Sequence, residues 1–343
     1  MRYILIPVFF LSVFSIFNLF GIKPSLVGNQ IVNFVIAGIF YIVIKKIGNN
    51  IFYQNVKLLY FLFLGILVIT FIIGLEIKGS KRWIDLYFFN FQSSEFFKIF
   101  FILFLSDYLS KNHLKFSTFI KSIMYFIVPA VIIFKQPDLG NTMVLVFVFI
   151  VLIIFSSFKK KYLFYLLFSV LSIIPLGYTL LHNYQKARIL SFLNPEFDQQ
   201  GTAYNMIQSV ITVGSGKFLG RGLGLGTQSR LFFLPENHTD FAFASLVEQF
   251  GFFGGGLVIM CYIIIFIILA KRLLALFYDT ESDLKKAFLY TLGFTSYFTF
   301  QVIINIGMNL GIMPITGIAL PLISYGGSSI VAAMIGLAFI ADK

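Results

Sequence analysis

The sequence predicts an all-α polytopic integral membrane protein: about ten transmembrane helices with one long outer loop, at roughly 20 apolar residues per span. Composition is the first observation behind this. Of 343 residues, 59% are hydrophobic and 12% charged, and the mean hydropathy is +0.92. A soluble domain runs at about 45–50% apolar and about 25% charged. The second is the recurrence of span-length apolar runs between charged or Gly/Pro breaks. The third is the one-sided distribution of Lys and Arg over the intervening loops. No heptad or Gly-X-Y period appears, and the single cysteine, Cys261, excludes an internal disulfide and a cysteine metal cluster.

The spans follow in order. The first, 3–20, has only Arg2 ahead of it and no small-residue cleavage site behind it, so it reads as a retained helix rather than a removed signal peptide. The second, 27–44, stops at Lys45-Lys46, and the third, 58–75, starts after Lys57. The fourth, 94–110, opens on Ser93-Ser94-Glu95, and the fifth, 118–134, ends at Lys135. The sixth, 141–158, begins behind Pro137 and Asp138 and closes on Lys159-Lys160-Lys161. A seventh follows at 162–181, the eighth, 241–270, ends at Lys271-Arg272, and the ninth, 287–308, follows Lys285-Lys286. The tenth is 326–341.

With the N-terminus in the cytoplasm, Lys45, Lys46, Lys57, Lys111, Lys115, Lys121, Lys159, Lys160, Lys161, Lys271, Arg272, Lys285 and Lys286 fall inside. The short outer loops then keep only Lys23, Lys78, Lys81, Arg82 and Lys135. That is the positive-inside pattern, with both termini cytoplasmic. Scattered loop flanks also argue against nucleic acid, which would need one basic patch. Many acids gather at or near the outer side, among them Glu76, Asp85, Glu95, Asp138, Glu236, Asp240 and Glu248. The chain reads as one membrane domain, 1–343, whose outer loop of about 182–240 joins helices 7 and 8. A structureless connection of that length is uncommon unless it is functional, which points to the outer face.

Several segments could carry chemistry. In the loop Gly79-Ser-Lys-Arg-Trp-Ile-Asp85, Lys81 and Arg82 flank the chain's only Trp, Trp83. An interfacial aromatic with snorkelling cations accounts for them; the functional alternative is an anion-binding ledge. Ser93 and Ser94 are candidate caps for the fourth helix. Glu95 and Lys98, three residues apart, share a face of that helix. Charges in an apolar helix face a protein interior or wet cavity and pair there, for structure or for function. In Lys135-Gln-Pro-Asp-Leu-Gly140, Pro137 and Gly140 make a turn and Asp138 caps the next helix.

The glycine-rich run Gly214–Gly226 fails as a phosphate loop, because position 211 is Ile where Gly is required. It reads instead as tight, close-packed backbone. Glu236, His238 and Asp240 crowd the mouth of the eighth helix. One His among mixed spacings makes a thin metal site. Thr239 or Asp240 could cap that helix, or a carboxylate or imidazole there could serve as a general base. Gln301, Asn305 and Asn309 form a polar stripe that interhelical hydrogen bonding would explain. From Pro314 to Ser329 the chain is apolar but broken by Pro and Gly. Irregular backbone at membrane depth is tolerated only where it is buried in protein or lines a cavity.

Taken together, Gly79-Ser-Lys-Arg-Trp with Gln92-Ser-Ser-Glu95, Lys135-Gln-Pro-Asp-Leu-Gly140, Gly226-Thr-Gln-Ser with Leu234-Pro-Glu-Asn-His-Thr-Asp-Phe241, and Asn305-Ile-Gly-Met-Asn-Leu-Gly311 running into Pro314–Ser329 resemble the SEDS family (shape, elongation, division and sporulation) over nearly the whole chain. Within it the chain is most similar to the elongation branch rather than the division branch. Ser93 departs from the family's usual Pro, which should only soften the helix start.

The resemblance implies a peptidoglycan glycosyltransferase in the bacterial cytoplasmic membrane that polymerises lipid II at the outer face. Its implied partners are a class B penicillin-binding protein transpeptidase and other elongation-complex membrane proteins. Asp240 matches the family's essential aspartate and is the implied general base. Lys81, Arg82 and Lys98 would stabilise the departing diphosphate, and Glu95 would orient Lys98 or Arg82. Trp83, Asp138, His238 and Asn305 complete the substrate-binding candidates, with His238 as a hydrogen-bonding neighbour. No cofactor is required, although Mg²⁺ or another divalent cation could share the charge. The rival readings are a lipid II flippase, a non-catalytic scaffold for a transpeptidase, and an oligosaccharide ligase. Polymer formed from lipid II already outside separates an enzyme from a flippase.

Overall fold

The structure is a computed structural model describing residues 2–77, 80–85, 90–112, 115–156, 158–166, 168, 179, 181, 183–194, 202–277 and 282–340. Two apolar helices, α1 (Leu5–Ile22) and α2 (Val27–Ile47), lead through the short α3 (Asn49–Gln54) into α4 (Val56–Ile73). Past a small sheet come α5 (Ser93–Lys111), α6 (Phe116–Lys135) and α7 (Leu139–Phe155). The long connection that follows contributes α8 (Asn183–Leu193), α9 (Thr202–Ser215) and α10 (Thr227–Arg230). The long α11 (Ala242–Phe277), α12 (Ser282–Asn309) and α13 (Gly327–Ala338) follow. Among the described residues, six helices are long and apolar enough to cross a membrane, and α7 and α13 are shorter apolar helices at expected spans. Residues 160–166 are helical, while most of the expected seventh span lies outside the described residues.

At the centre stands α5. Every residue from Ser93 to Asp107 is buried, and the helix packs against α4, α7, α12 and α13. Phe96, Phe97, Phe100, Phe101 and Phe104 point to several sides of it, so it has no lipid-facing stripe, as expected for a core helix. Its Glu95, Lys98 and Asp107 thereby enter the protein rather than the bilayer.

The structure departs from the sequence reading in two places. The loop after α4 forms a three-stranded antiparallel sheet of β1 (Leu75–Ile77), β2 (Ser80–Asp85) and β3 (Asn90–Gln92). Glu76 pairs with Lys81, and Trp83 with Gln92. Aromatic and β-branched residues in so short a loop favour strand pairing over coil. The described part of the 182–240 connection likewise carries helices at 183–193, 202–215 and 227–230 joined by turns, rather than a structureless loop, with Ala203 and Met206 of α9 buried.

Gly251 breaks α11 with φ 71° and ψ −172°. Such a kink frees backbone groups that must be satisfied at membrane depth. The glycine-rich run supplies partners: Phe252 and Phe253 donate to the carbonyls of Lys217 and Phe218, while Arg221 and Gly222 donate to those of Glu248 and Gln249. A Cβ at Gly220, where φ is +86°, would overlap the Gln249 carbonyl oxygen. Gly220→Ala should therefore destabilise the protein by about 1–2 kcal/mol from the left-handed backbone alone. Thermal unfolding of the purified protein should show a lower Tm, and an unchanged Tm would contradict this packing.

The broken stretch between α12 and α13 is buried at Ile318, Leu320, Leu322, Ile323 and Ser324. Its polar backbone is satisfied by side chains from four helices. Ser15 donates to Ile323 O, Gln30 to Ser324 O, Tyr262 to Pro321 O and Asn305 to Ile318 O. This is how irregular chain is held where water cannot pair it.

Candidate active site

Two polar networks meet at the broken stretch. The first begins where α7 starts. Asp138 caps that helix, with Oδ1 accepting from Asn141 N at 3.2 Å. The Asn141 amide donates to Asp138 Oδ2 at 2.9 Å, and its oxygen accepts from Lys98 Nζ at 2.5 Å. Lys98 also pairs with Glu95 Oε1 at 2.7 Å and lies 5.0 Å from the centre of the Tyr297 ring. The pair is enclosed, with side-chain exposures of 1% for Lys98 and 6% for Glu95. Glu95 Oε2 and Ser93 Oγ have no hydrogen-bond partner among the described residues.

Arg82 reaches this network from β2. Its Nε donates to Gln136 O at 3.1 Å, Nη2 donates to Pro137 O, and Nη1 stands 3.8 Å from Asp138 Oδ1. Gln92 Nε2 meets Asp138 Oδ2 at 3.4 Å. The guanidinium is thus half-buried and clamped over the start of α7, while Lys81 on the same strand is exposed. Trp83 pairs within the sheet and enters neither network.

The second network surrounds Asp240. Its carbonyl accepts from Asn305 Nδ2 at 3.0 Å and Asn309 Nδ2 at 3.1 Å. Asn309 Oδ1 accepts from Ala244 N at 2.9 Å, so one side chain holds the first turn of α11 at two points. Ser324 Oγ donates to Thr239 O at 2.6 Å, and Tyr325 N donates to His238 O at 2.8 Å. Backbone grips of this kind fix the turn whatever the carboxylate does.

Three residues, Thr316-Gly317-Ile318, join the networks. Gly140, at the start of α7, packs so closely that a Cβ there would lie 2.8 Å from Thr316 O and 2.7 Å from Ile318 Cγ1. On the same strip, a Cβ at Gly317 would lie 3.7 Å from Asp240 Oδ2. Arg82, Glu95, Lys98 and Asp138 therefore form one connected group, with Asp240, His238 and Asn305 beside it across the strip.

Three expectations change. Ser93 and Ser94 do not cap α5: its N-cap position is Gln92, with no side-chain cap bond, and Ser94 Oγ accepts from Asn141. Lys98 does not present an open ammonium, because Glu95 and Asn141 engage it. Thr239 Oγ1 turns back to Glu236 Oε2 at 2.9 Å instead of capping α11. Sequence reasoning missed Asn141, whose only signal is its position three residues after the capping Asp138. It also missed Tyr297 against Lys98, a contact set by tertiary packing.

Among the described residues no three His, Cys, Asp or Glu side chains converge, and the Asp138 carboxylate is engaged by Asn141, Gln92 and Arg82. Among the described residues, then, the donors do not form a set fitted to a divalent ion. The arrangement offers a carboxylate-bearing turn at a helix start, on one side of a strip whose other side packs against a network holding a clamped cation and a buried ion pair.

Residues 1–342 match the profile of the FtsW/RodA/SpoVE family, described as cell cycle protein. A probable peptidoglycan glycosyltransferase FtsW of Buchnera aphidicola is 34% identical over 91% of this chain and 88% of its own length. Peptidoglycan glycosyltransferase MrdB of Escherichia coli K12 is 31% identical over 99% and 91%. Among solved structures, a chain from a study of structural coordination of polymerization and crosslinking by a peptidoglycan synthase complex superposes with a TM-score of 0.84 at 25% identity, covering 99% of this chain and 96% of its own. The rod shape determining protein RodA of Thermus thermophilus shares the fold at a TM-score of 0.73 and 22% identity, over 99% and 95%. This agreement, end to end along the chain and through its site-bearing segments, places the protein in the FtsW/RodA/SpoVE family.

Proposed function

We propose that this protein is a peptidoglycan glycosyltransferase: a single multi-pass membrane domain that polymerises lipid II at the outer face of the cytoplasmic membrane. A class B penicillin-binding protein transpeptidase is its partner. The observation that carries the reading is the placement of the Asp240 turn across Thr316–Ile318 from the Arg82–Asp138–Lys98 network. The names of relatives aligned over most of both chains support it. Relatives of both branches match at similar identity, so the assignment to elongation rests on Gly226-Thr-Gln-Ser229, Lys135-Gln-Pro-Asp138 and Asn305-Ile-Gly-Met308. Cytoplasmic termini are supported by the lysine-rich flanks.

The chemistry is a single displacement. The acceptor sugar's 4-hydroxyl attacks the donor's anomeric carbon, the bond to the lipid diphosphate breaks, and the α-linkage becomes a β-glycoside. Asp240 takes the hydroxyl proton as general base. A glycosidase needs a second carboxyl group to protonate its leaving group. Diphosphate leaves as an anion, so a cation suffices, and of the two cations within the network Arg82 is the more accessible. Lys98 acts from deeper in the protein, holding Asn141 and through it Asp138, to which Arg82 is anchored.

The full chain, purified with its transpeptidase partner and given lipid II in detergent, is expected to produce glycan strands resolved by electrophoresis. Lipid II consumed without polymer, or left untouched, overturns the proposal, since a flippase has nothing to do where no bilayer separates the pools.

A further inference from the structure

Helix α11 is longer than a membrane is thick. Its 36 residues rise about 54 Å at ~1.5 Å each, against about 30 Å of hydrocarbon. Lys271 and Arg272 mark one boundary, and the 20 residues before them, Gly251–Ala270, carry no charge. Those residues rise about 30 Å, so the opposite boundary falls at the Gly251 kink. A second helix gives the same level. α1 ends at Ile22 with Lys23 next, and a Cβ on Gly21 would overlap Gln249 Oε1 and lie 2.8 Å from Gly224 N. Gly224 N itself donates to Gln249 Oε1 at 3.0 Å. The glycine-rich run, hydrogen-bonded to the backbone of Glu248, Gln249, Phe252 and Phe253, thus lies where two spans leave the bilayer.

What it presents there is amphipathic. Leu219 is 76% exposed, Phe252 69% and Phe218 63%, and the two phenylalanine rings lie 6.2 Å apart. Lys217, Arg221 and Arg230 are exposed too. Arg221 Nε donates to Ser215 O at 3.2 Å and Arg230 Nη1 to Gly224 O at 2.9 Å. Each guanidinium is thereby pinned to the run, with most of its five N–H donors unpartnered among the described residues. None of the three cations joins an ion pair among the described residues. Glu248, the nearest carboxylate along α11, is fully buried and engaged by Gln228 N and Ser229 N. Exposed apolar side chains at the edge of the hydrocarbon, beside pinned and unpaired arginines, suit a phospholipid: rings against chains, guanidiniums on phosphate oxygens.

We infer that the glycine-rich run is a lipid-binding rim. Phe218, Leu219 and Phe252 lie among acyl chains of the outer leaflet, and Arg221 and Arg230, with Lys217, bind phosphates of anionic phospholipids. This deepens the glycosyltransferase reading and rests on it only for which leaflet is met. Ala242–Phe250 then carry the Asp240 turn up to about 14 Å beyond the acyl chains, on the side where a sugar joined to a lipid diphosphate stands.

Cys261 is the chain's single cysteine, so one position can be labelled cleanly. The full-length protein carrying Cys261→Ser and Leu219→Cys, with the fluorophore NBD at position 219, is placed in phosphatidylcholine nanodiscs. The expected emission is blue-shifted, quenched by 5-doxyl phosphatidylcholine and little affected by aqueous iodide. With 5-doxyl phosphatidylglycerol as the quencher, half-quenching should need about fivefold less lipid, the worth of one basic residue at an anionic membrane surface. Arg221→Gln with Arg230→Gln should remove that preference and keep the blue shift. Aqueous emission with iodide quenching and no lipid quenching overturns the rim. So does a blue shift that appears only when the transpeptidase is added, which makes the surface a protein contact. Equal quenching by the two lipids overturns the phosphate site, and that comparison needs no arginine variant to fold. Both faces of a nanodisc are open, so the result does not depend on which leaflet the rim meets. A lipid-quenched probe on a protein that makes no glycan from lipid II overturns the enzymatic reading and leaves the rim standing.

Discussion

Asp240→Asn is expected to lower lipid II polymerisation by about a hundredfold to ten-thousandfold, the usual worth of a general base, with little change in the protein's Tm. The substitution keeps the side chain's shape and removes its capacity to take a proton. The grip on this turn, from Asn305 and Asn309, is on the backbone carbonyl and survives the change. Rate and fold are therefore separable at this position. The measurement is initial rate of glycan synthesis at saturating lipid II, with binding to the transpeptidase as the check on integrity. If Asp240→Asn polymerises at the parent rate, Asp240 is not the base; if it loses partner binding too, the turn is structural first. Asn309→Ala gives the converse case. It leaves the carboxylate but frees both Asp240 O and Ala244 N, so stability and activity should fall together.

The spans were readable because hydropathy is a property of short windows, and the observed α1, α2, α4 to α7, α11, α12 and α13 fall within a few residues of the expected runs, apart from a longer α11. Local chemistry was equally readable where one residue acts on its neighbours: Asp138 caps α7 as its spacing suggests, and the glycine-rich run is close-packed backbone rather than a phosphate loop. What the sequence could not show was the partner across a long separation. The gap between Lys98 and Asn141 is 43 residues and that between Ser15 and Ile323 is 308, and no periodicity encodes either. The enclosure of α5 is of the same kind. The sequence of Glu95 and Lys98 suits a cavity wall or a membrane edge, and only the helices around them show the pair enclosed.

That enclosure leads to the second large effect. Lys98→Met removes the partner of a buried carboxylate, and breaking a buried pair from one side costs about 3–5 kcal/mol. The parent's low exposure at both side chains means water cannot repay the loss. The expected result is a strongly lowered Tm and reduced yield of folded protein, with activity lost as a consequence. The double variant Glu95→Gln with Lys98→Met leaves no unpaired charge, so it should recover most of the stability. It should not recover polymerisation, because Asn141 would still lack the ammonium that fixes its amide, and Asn141 holds the Asp138 carboxylate beside Arg82. Arg82→Ala, half-buried at the surface of the same network, should show the reverse balance: a small change in Tm and a large loss of rate. A double variant that polymerises like the parent would reduce Lys98 to a counter-ion for Glu95, leaving Arg82 to receive the diphosphate without support from the ion pair beneath it.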